Sequence, residues 1–463
     1  MPTTRSADRS GSRWVHDLYN PAVTSTDREI LRLAVPAFLA LVAEPLFLLS
    51  DAVIVGQLGT AQLAGLGIAG AILQTLVGLC VFLAYGTTAS VARHLGAGDL
   101  RAALTQGIDG CWLAVLIGGV VTAFGAVFAN PLVELFGAGS AVSNQATSYL
   151  SVAIFGTIPL LLMLAATGVL RGLQDTRTPL WVAIGGNLAN IVLNVVFVYA
   201  LDLGIGGSAL GSVIAQVASA AVLVAVVVKS ARCEGASLGP DRHGVIAAAR
   251  TGVPLVLRTL TLRACLLIGT YAVTIAGRDT EIDLATHQIA ITLWTFLAFA
   301  LDALAIAAQA ITGRALGAGD VEGTRRLTHR MVQWGWGAGF TSGLLLAAAS
   351  PFLGPLFSPD PDVHRLLVPV LLVAAVGQPI AGVVFVLDGV LIGAGDGRYL
   401  AWAGLGVLSL YAPVALLAAR GPGGLVPVWV AMIVVFMGAR FVLLTRRARG
   451  DAWLITGSLA SRP

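Results

Sequence analysis

The chain has 463 residues, of which 57% are hydrophobic and 11% charged, with a formal net charge of +4 and a mean hydropathy of +0.87. Soluble domains carry about 25% charged residues, so this composition excludes an ordinary soluble enzyme or binding module. The basic residues are scattered through short segments without a dense patch, which excludes a nucleic-acid partner.

In chain order, residues 1–27 are polar, with Arg5, Arg9, Arg13 and Asp17 and no apolar core. They read as a flexible cytoplasmic tail rather than a cleavable signal, with Trp14, His16 and Leu18 resting at the membrane interface. Apolar runs then recur at 30–55, 62–90, 106–130, 147–170, 178–200 and 206–229. A polar loop at 231–244 separates them from runs at 245–276, 285–313, 331–356, 365–392, 397–419 and 425–445. A second tail is expected at 446–463. A helix needs about 20 apolar residues to cross a bilayer, and the ten-residue alternation of a membrane barrel is absent. The fold class is therefore an all-α polytopic membrane protein with twelve transmembrane helices. Several runs exceed the required length, so tilt or protrusion is expected. Glycine, at 55 residues, allows close helix approach. Cys80, Cys111, Cys233 and Cys265 lack CxxC spacing and read as packing residues or a free thiol, so no metal site is expected.

The charges set an orientation. If the amino-terminal tail is inside, only Arg278, Arg365 and Arg420 fall outside, and Arg258 and Arg263 lie within the seventh span. The other 23 of the 28 Lys and Arg, including Arg93, Arg171 and Arg440, are on the inner side. This bias puts both termini in the cytoplasm of a cell whose plasma membrane holds the chain.

The halves repeat at an offset of 221. Arg93-His-Leu-Gly-Ala-Gly-Asp99 matches Arg314-Ala-Leu-Gly-Ala-Gly-Asp320, and Gly168-Val-Leu-Arg-Gly172 matches Gly389-Val-Leu-Ile-Gly393. Ala64 with Ile68-Ala69 matches Ala285 with Ile289-Ala290, and Asp175 and Arg177 match Asp396 and Arg398. Six helices per half make the repeat parallel, with lobes at 28–230 and 245–445 around a central cavity. That arrangement predicts a secondary transporter. The LGAGD copies read both as helix stops with aspartate caps and as a latch between helices. No GxxxxGK[ST] loop, HExxH or catalytic triad is present, so no enzymatic activity and no resident cofactor is expected. Energy must then come from an ion gradient or from the solute's own.

An ionisable residue within a span costs roughly 2.5–3.5 kcal/mol on insertion scales, so each one asks for a reason. Asp51 closes the first run, with Glu44 two turns before it and Pro45 loosening the helix between them. Asn187, Asn190 and Asn194 form one polar stripe on the fifth helix, which reads as a site facing Asp51 or as glue between helices worth about 0.6 kcal/mol per bond. Asp302 and Gln309 share a face of the eighth helix, Asp388 lies in the tenth, and His287 opens the eighth as a gate or an exposed cap. Arg258 and Arg263 need buried partners, for which Glu44, Asp302 and Asp388 are available.

Taken together, Glu44-Pro45-Leu46-Phe47, Asp51-Ala-Val-Ile-Val-Gly56, Gly172-Leu-Gln-Asp-Thr-Arg-Thr-Pro179, the asparagine series, Thr286-His287-Gln288-Ile289-Ala290, Leu301-Asp302 and Leu387-Asp388-Gly-Val-Leu-Ile-Gly393 give the chain its resemblance. It resembles the multidrug and toxic compound extrusion (MATE) family, most closely its DinF-like branch, from about Asp27 to Arg446. The resemblance implies two six-helix lobes and export of amphipathic, often cationic compounds in exchange for protons or sodium. It implies that Asp51, with Asn187, Asn190 and Asn194, forms the proton or cation site. It places Glu44, Asp302, Asp388, Gln309, Arg258, Arg263 and His287 in the substrate cavity and second lobe, with Phe47, Tyr85, Phe155 and Trp294 as aromatic candidates. Many relatives carry aspartate at position 194, so asparagine there removes one titratable group and concentrates coupling on Asp51. Sodium usually wants several oxygen ligands, so a single carboxylate favours protons. The expected partners are membrane lipids and small amphiphiles, with no obligate protein partner. Two other readings are a lipid-linked precursor flippase and, in a different class, a non-transporting scaffold or receptor. The flippase would need a cationic cavity that only Arg258 and Arg263 could supply. The scaffold would leave the buried carboxylates unexplained.

Overall fold

The structure, a computed structural model, describes residues 26–276 and 280–457. The expectations for Trp14, His16 and Leu18 and for Arg278 lie outside them. Among the described residues, twelve helices are long and apolar enough to cross a membrane. The first six are α1 (Thr26–Gly56), α2 (Thr60–Gly96), α3 (Leu100–Glu134), α4 (Ser140–Gly172), α5 (Arg177–Ala200) and α6 (Gly204–Cys233). The second six are α7 (Arg242–Ala276), α8 (Glu281–Gly317), α9 (Val321–Phe357), α10 (Pro361–Gly393), α11 (Gly397–Arg420) and α12 (Leu425–Arg449). The number agrees with hydropathy, and the helices run longer than the apolar runs. α2, at 37 residues, is about 55 Å long, well beyond a hydrocarbon core of about 30 Å.

Local chemistry sets the ends. Asp99 caps α3 by accepting from the Ala102 amide at 2.8 Å, and Asp320 caps α9 by accepting from the Gly323 amide at 2.7 Å. Gly98 (φ 78) and Gly319 (φ 77), just before these caps, take the left-handed conformation that glycine adopts without strain. Asp175 accepts from the amides of Arg177 and Thr178 and starts α5. α2 is interrupted near its middle at Cys80–Val81, where the Cys80 amide closes a tight turn on the Val77 carbonyl at 2.8 Å.

Helices α1–α6 and α7–α12 pack as two bundles. They meet where α1 and α2 lie against α8, and α2 and α3 against α7. The face carrying Thr26 and Gly457 is the basic face. At that face the two LGAGD copies cross reciprocally. A Cβ added at Gly96 would strike the Arg314 carbonyl, and one at Gly317 would strike the Arg93 carbonyl. Each pair maps onto the other by the offset of 221, so the repeat is expressed as a two-fold contact. Ala37 packs with Ala303 and Ile306, and Gly252 approaches Phe82. These contacts hold the two bundles together on the side of the basic face.

The described carboxyl end packs onto the helices rather than standing clear of them. α12 continues to Arg449, and Trp453 is fully buried. The reason is Arg93, itself fully buried: its Nη1 donates to the carbonyls of Ile455 and Gly457, both at 2.8 Å, and its Nη2 donates to that of Ala394 at 2.7 Å. The Gly457 amide donates to the Leu316 carbonyl at 3.1 Å. Near the start of α1, Glu29 pairs with Arg314, and Asp27 pairs with Arg330 at 2.7 Å. The LGAGD copies thus end α2 and α8 and also bring the two helices into backbone contact.

Candidate functional site

Two buried polar groups form, one per bundle. The first surrounds Asp51, which is 3% exposed near the far end of α1. One Asp51 oxygen accepts from Asn194 Nδ2, and the other from Ser212 Oγ at 3.4 Å. Asn190, fully buried, donates from Nδ2 to Ser212 Oγ at 2.9 Å and accepts from Asn194 Nδ2 at 3.2 Å. The Tyr149 hydroxyl of α4 lies beside both Asp51 and Ser212. The i,i+4 spacing of Asn190 and Asn194 places both amides on the face of α5 toward α1 and α6. Asn187, one turn nearer the basic face, donates to the Ala43 carbonyl at 2.8 Å and ties α5 to α1. Gly211 makes room for this cluster, because a side chain there would collide with the Asn194 amide.

Sequence reasoning brought Asp51 and the asparagines together but missed Ser212 and Tyr149. Uncharged hydroxyls in a small-residue helix carry little signal. The spacing of Ser208 and Ser212 on α6, both buried, was the available clue.

The second group centres on Asp388, 5% exposed in α10. Arg258 of α7 grips both its oxygens, with Nε at 3.3 Å from Oδ1 and Nη2 on Oδ2, and Arg440 Nη2 donates to Oδ2 at 2.7 Å. Arg258 also stacks 5.9 Å from the Tyr85 ring centroid. Asp302, half-buried, interacts electrostatically with Arg171 of α4 across the interface and with Arg258. Gln309, buried on the same face as Asp302, donates to the Tyr85 carbonyl at 2.6 Å and so crosses between the bundles. A small cavity of about 20 Å³ is lined by Arg258, Asp388 and Arg440, among others.

Several expectations are corrected here. Arg440 does not belong with the loop charges: α12 carries it inward, 9% exposed, onto Asp388. Arg171, in the last turn of α4, likewise turns toward Asp302. Asp388 lines only the small cavity it shares with Arg258 and Arg440, both of which bond to it. Glu44 does not pair with Arg258 or Arg263. It is exposed and makes no hydrogen bond or ion pair among the described residues, since Arg258 faces its own bundle. Arg263 is also exposed and without a carboxylate among the described residues, its guanidinium lying against Gly78 of α2. His287 is not an exposed cap: it is 4% exposed, 3.2 Å from the Thr270 hydroxyl and edge-on to Trp429. Of the aromatic candidates, Tyr85 joins the second group, Trp294 is buried and Phe155 is exposed.

Twelve helices in two bundles, meeting at a repeated pseudo-two-fold contact and each holding a buried polar group, define a two-lobed transporter fold of the secondary, gradient-driven class. Within that class the chain belongs to the MatE family, whose pattern matches residues 36–196 and 254–417. It is 28% identical to Protein DETOXIFICATION 43 of Arabidopsis thaliana over 486 residues, covering 92% of this chain and 91% of that protein. It is 30% identical to the DNA damage-inducible protein F of Escherichia coli over 312 residues, covering 64% of this chain and 65% of that protein. The fold matches the bent form of the Vibrio cholerae MATE transporter VcmN with a TM-score of 0.84 at 20% identity, covering 93% and 99% of the two chains. An outward-facing MATE family structure matches with a TM-score of 0.83 at 20% identity, covering 92% and 96%.

Proposed function

We propose that the chain is an antiporter that exports amphipathic organic compounds, cationic ones included, in exchange for protons, with Asp51 as the group that changes protonation. The single observation that carries this reading is the buried Asp51 carboxylate facing Asn194 Nδ2 and Ser212 Oγ as donors. Donor hydrogens suit a carboxylate that gains and loses a proton. A sodium ion would need the lone pairs of those neighbours turned inward, and no second carboxylate belongs to this group. Sodium is the second reading, favoured by the oxygens of Tyr149 and Asn190 close by.

The supporting frame is two lobes, 28–230 and 245–445, held together on the side of the basic face. If that face is cytoplasmic, as the charge bias supports, the conformation is outward-facing and both termini lie inside a cell membrane. The 30% identity to DNA damage-inducible protein F supports the DinF-like branch.

The test is dye efflux from proteoliposomes under an imposed proton or sodium gradient. A proton gradient alone drives wild-type transport, and Asp51→Asn removes the drive. Normal coupling in Asp51→Asn, or a requirement for sodium, overturns the assignment.

A further inference from the structure

Two exposed charges, Glu44 on α1 and Arg263 on α7, are used by neither buried group. Glu44 lies on the same face of α1 as Asp51, two turns above it, and Ala37, two turns below. Ala37 packs on α8 of the other lobe, whereas Asp51 turns into its own lobe, so Glu44 lies on α1 between these two contacts. Glu44 is exposed there. Arg263 lies three turns from Gly252 on one face of α7. Gly252 touches Phe82, and Arg263 reaches Gly78, both on α2 of the first lobe and on either side of its break. Arg263 is also exposed.

The two charges sit at matching depths. Adding the repeat offset of 221 to Glu44 gives Cys265, two residues from Arg263 on the equivalent helix. Neither has a hydrogen bond or ion pair among the described residues. The other charges nearby are already matched: Asp388 holds Arg258 and Arg440, and Asp302 interacts with Arg171. An unmatched charge at mid-membrane is costly unless it faces water or a ligand.

We propose that Glu44 and Arg263 are the two charged poles of the substrate site, so that the preferred cargo is a zwitterionic amphiphile carrying a cationic and an anionic group on one apolar body. Glu44 takes the cationic end and Arg263 the carboxylate, sulfonate or phosphate end. The carboxylate would fit the planar guanidinium in a two-bonded pair. This rests on the antiport reading above and narrows its substrate class.

The test uses matched dyes: rhodamine B, a zwitterion with a free carboxylate, its ethyl ester, a cation, and fluorescein, an anion. Binding to the detergent-purified full chain is read by fluorescence polarisation. Rhodamine B binds at least about tenfold more tightly than the ester or fluorescein. Arg263→Gln brings rhodamine B to the level of the ester and leaves the ester unchanged, Arg263→Lys keeps part of the preference, and Glu44→Gln weakens both cation-bearing dyes. An unchanged ratio in Arg263→Gln, or undiminished dye binding in Glu44→Gln, overturns the proposal. Failure of proton-driven transport with this binding pattern intact would overturn antiport alone.

Discussion

Asp51 and Asp388 are both buried carboxylates in the membrane, yet their surroundings differ in kind. Asp51 faces neutral donors, whereas Asp388 is held by Arg258 and Arg440. A neutral shell tolerates both protonation states of a carboxylate, while two guanidiniums hold it as an anion and use it as structure. Asp388→Asn should therefore leave Arg440 without its carboxylate and Arg258 with only Asp302, and destabilise the second lobe by about 3–5 kcal/mol, seen as a large fall in melting temperature in detergent. Asp51→Asn should melt close to wild type. A normal melting temperature for Asp388→Asn would contradict this division of roles. At this scale the sequence was partly legible. Asp51, Asn190 and Asn194 stood out because charge and amide stripes are rare in spans. Arg440 and Arg171 were hidden because arginines near helix ends look like loop charges, although their long side chains turn inward. Ser212 and Tyr149 had no charge to betray them.

α2 and α8 cross backbone to backbone at their LGAGD ends on the basic face. Glycine at 96 and 317 is what lets the carbonyls of Arg314 and Arg93 come so near. Those motifs were legible as helix stops from Gly-Ala-Gly-Asp alone, and as a latch only through their shared offset. The clamp of Arg93 on residues 455 and 457 was not legible, since nothing in a short polar tail shows which buried cation will seek its carbonyls. A transporter must break this crossing to open the basic face. Cysteines placed at Ala92 and Gly313, which face each other across the same crossing, should form a disulfide that stops transport and is reversed by reductant. Transport persisting in the fully crosslinked protein would show that the crossing does not open.

Over the whole molecule, hydropathy and a 221-residue repeat were enough to read twelve helices and two lobes, because a bilayer forces every spanning segment to satisfy its own backbone. What hydropathy could not reveal was which charges pair across helices far apart in sequence, such as Arg440 with Asp388. In the proposed antiport the lobes are two halves of one exchanger, in which cargo and a proton on Asp51 compete. Linkage then requires each to weaken the other's binding. The most direct test is proton release in weakly buffered detergent solution when a saturating dye such as rhodamine B is added to the purified chain. Proton antiport through Asp51 predicts release of up to about one proton per dye bound, greatest where Asp51 is protonated beforehand, and none from Asp51→Asn although it still binds dye. Dye binding without proton release across the pH range in the wild-type chain, or equal release from Asp51→Asn, would contradict it.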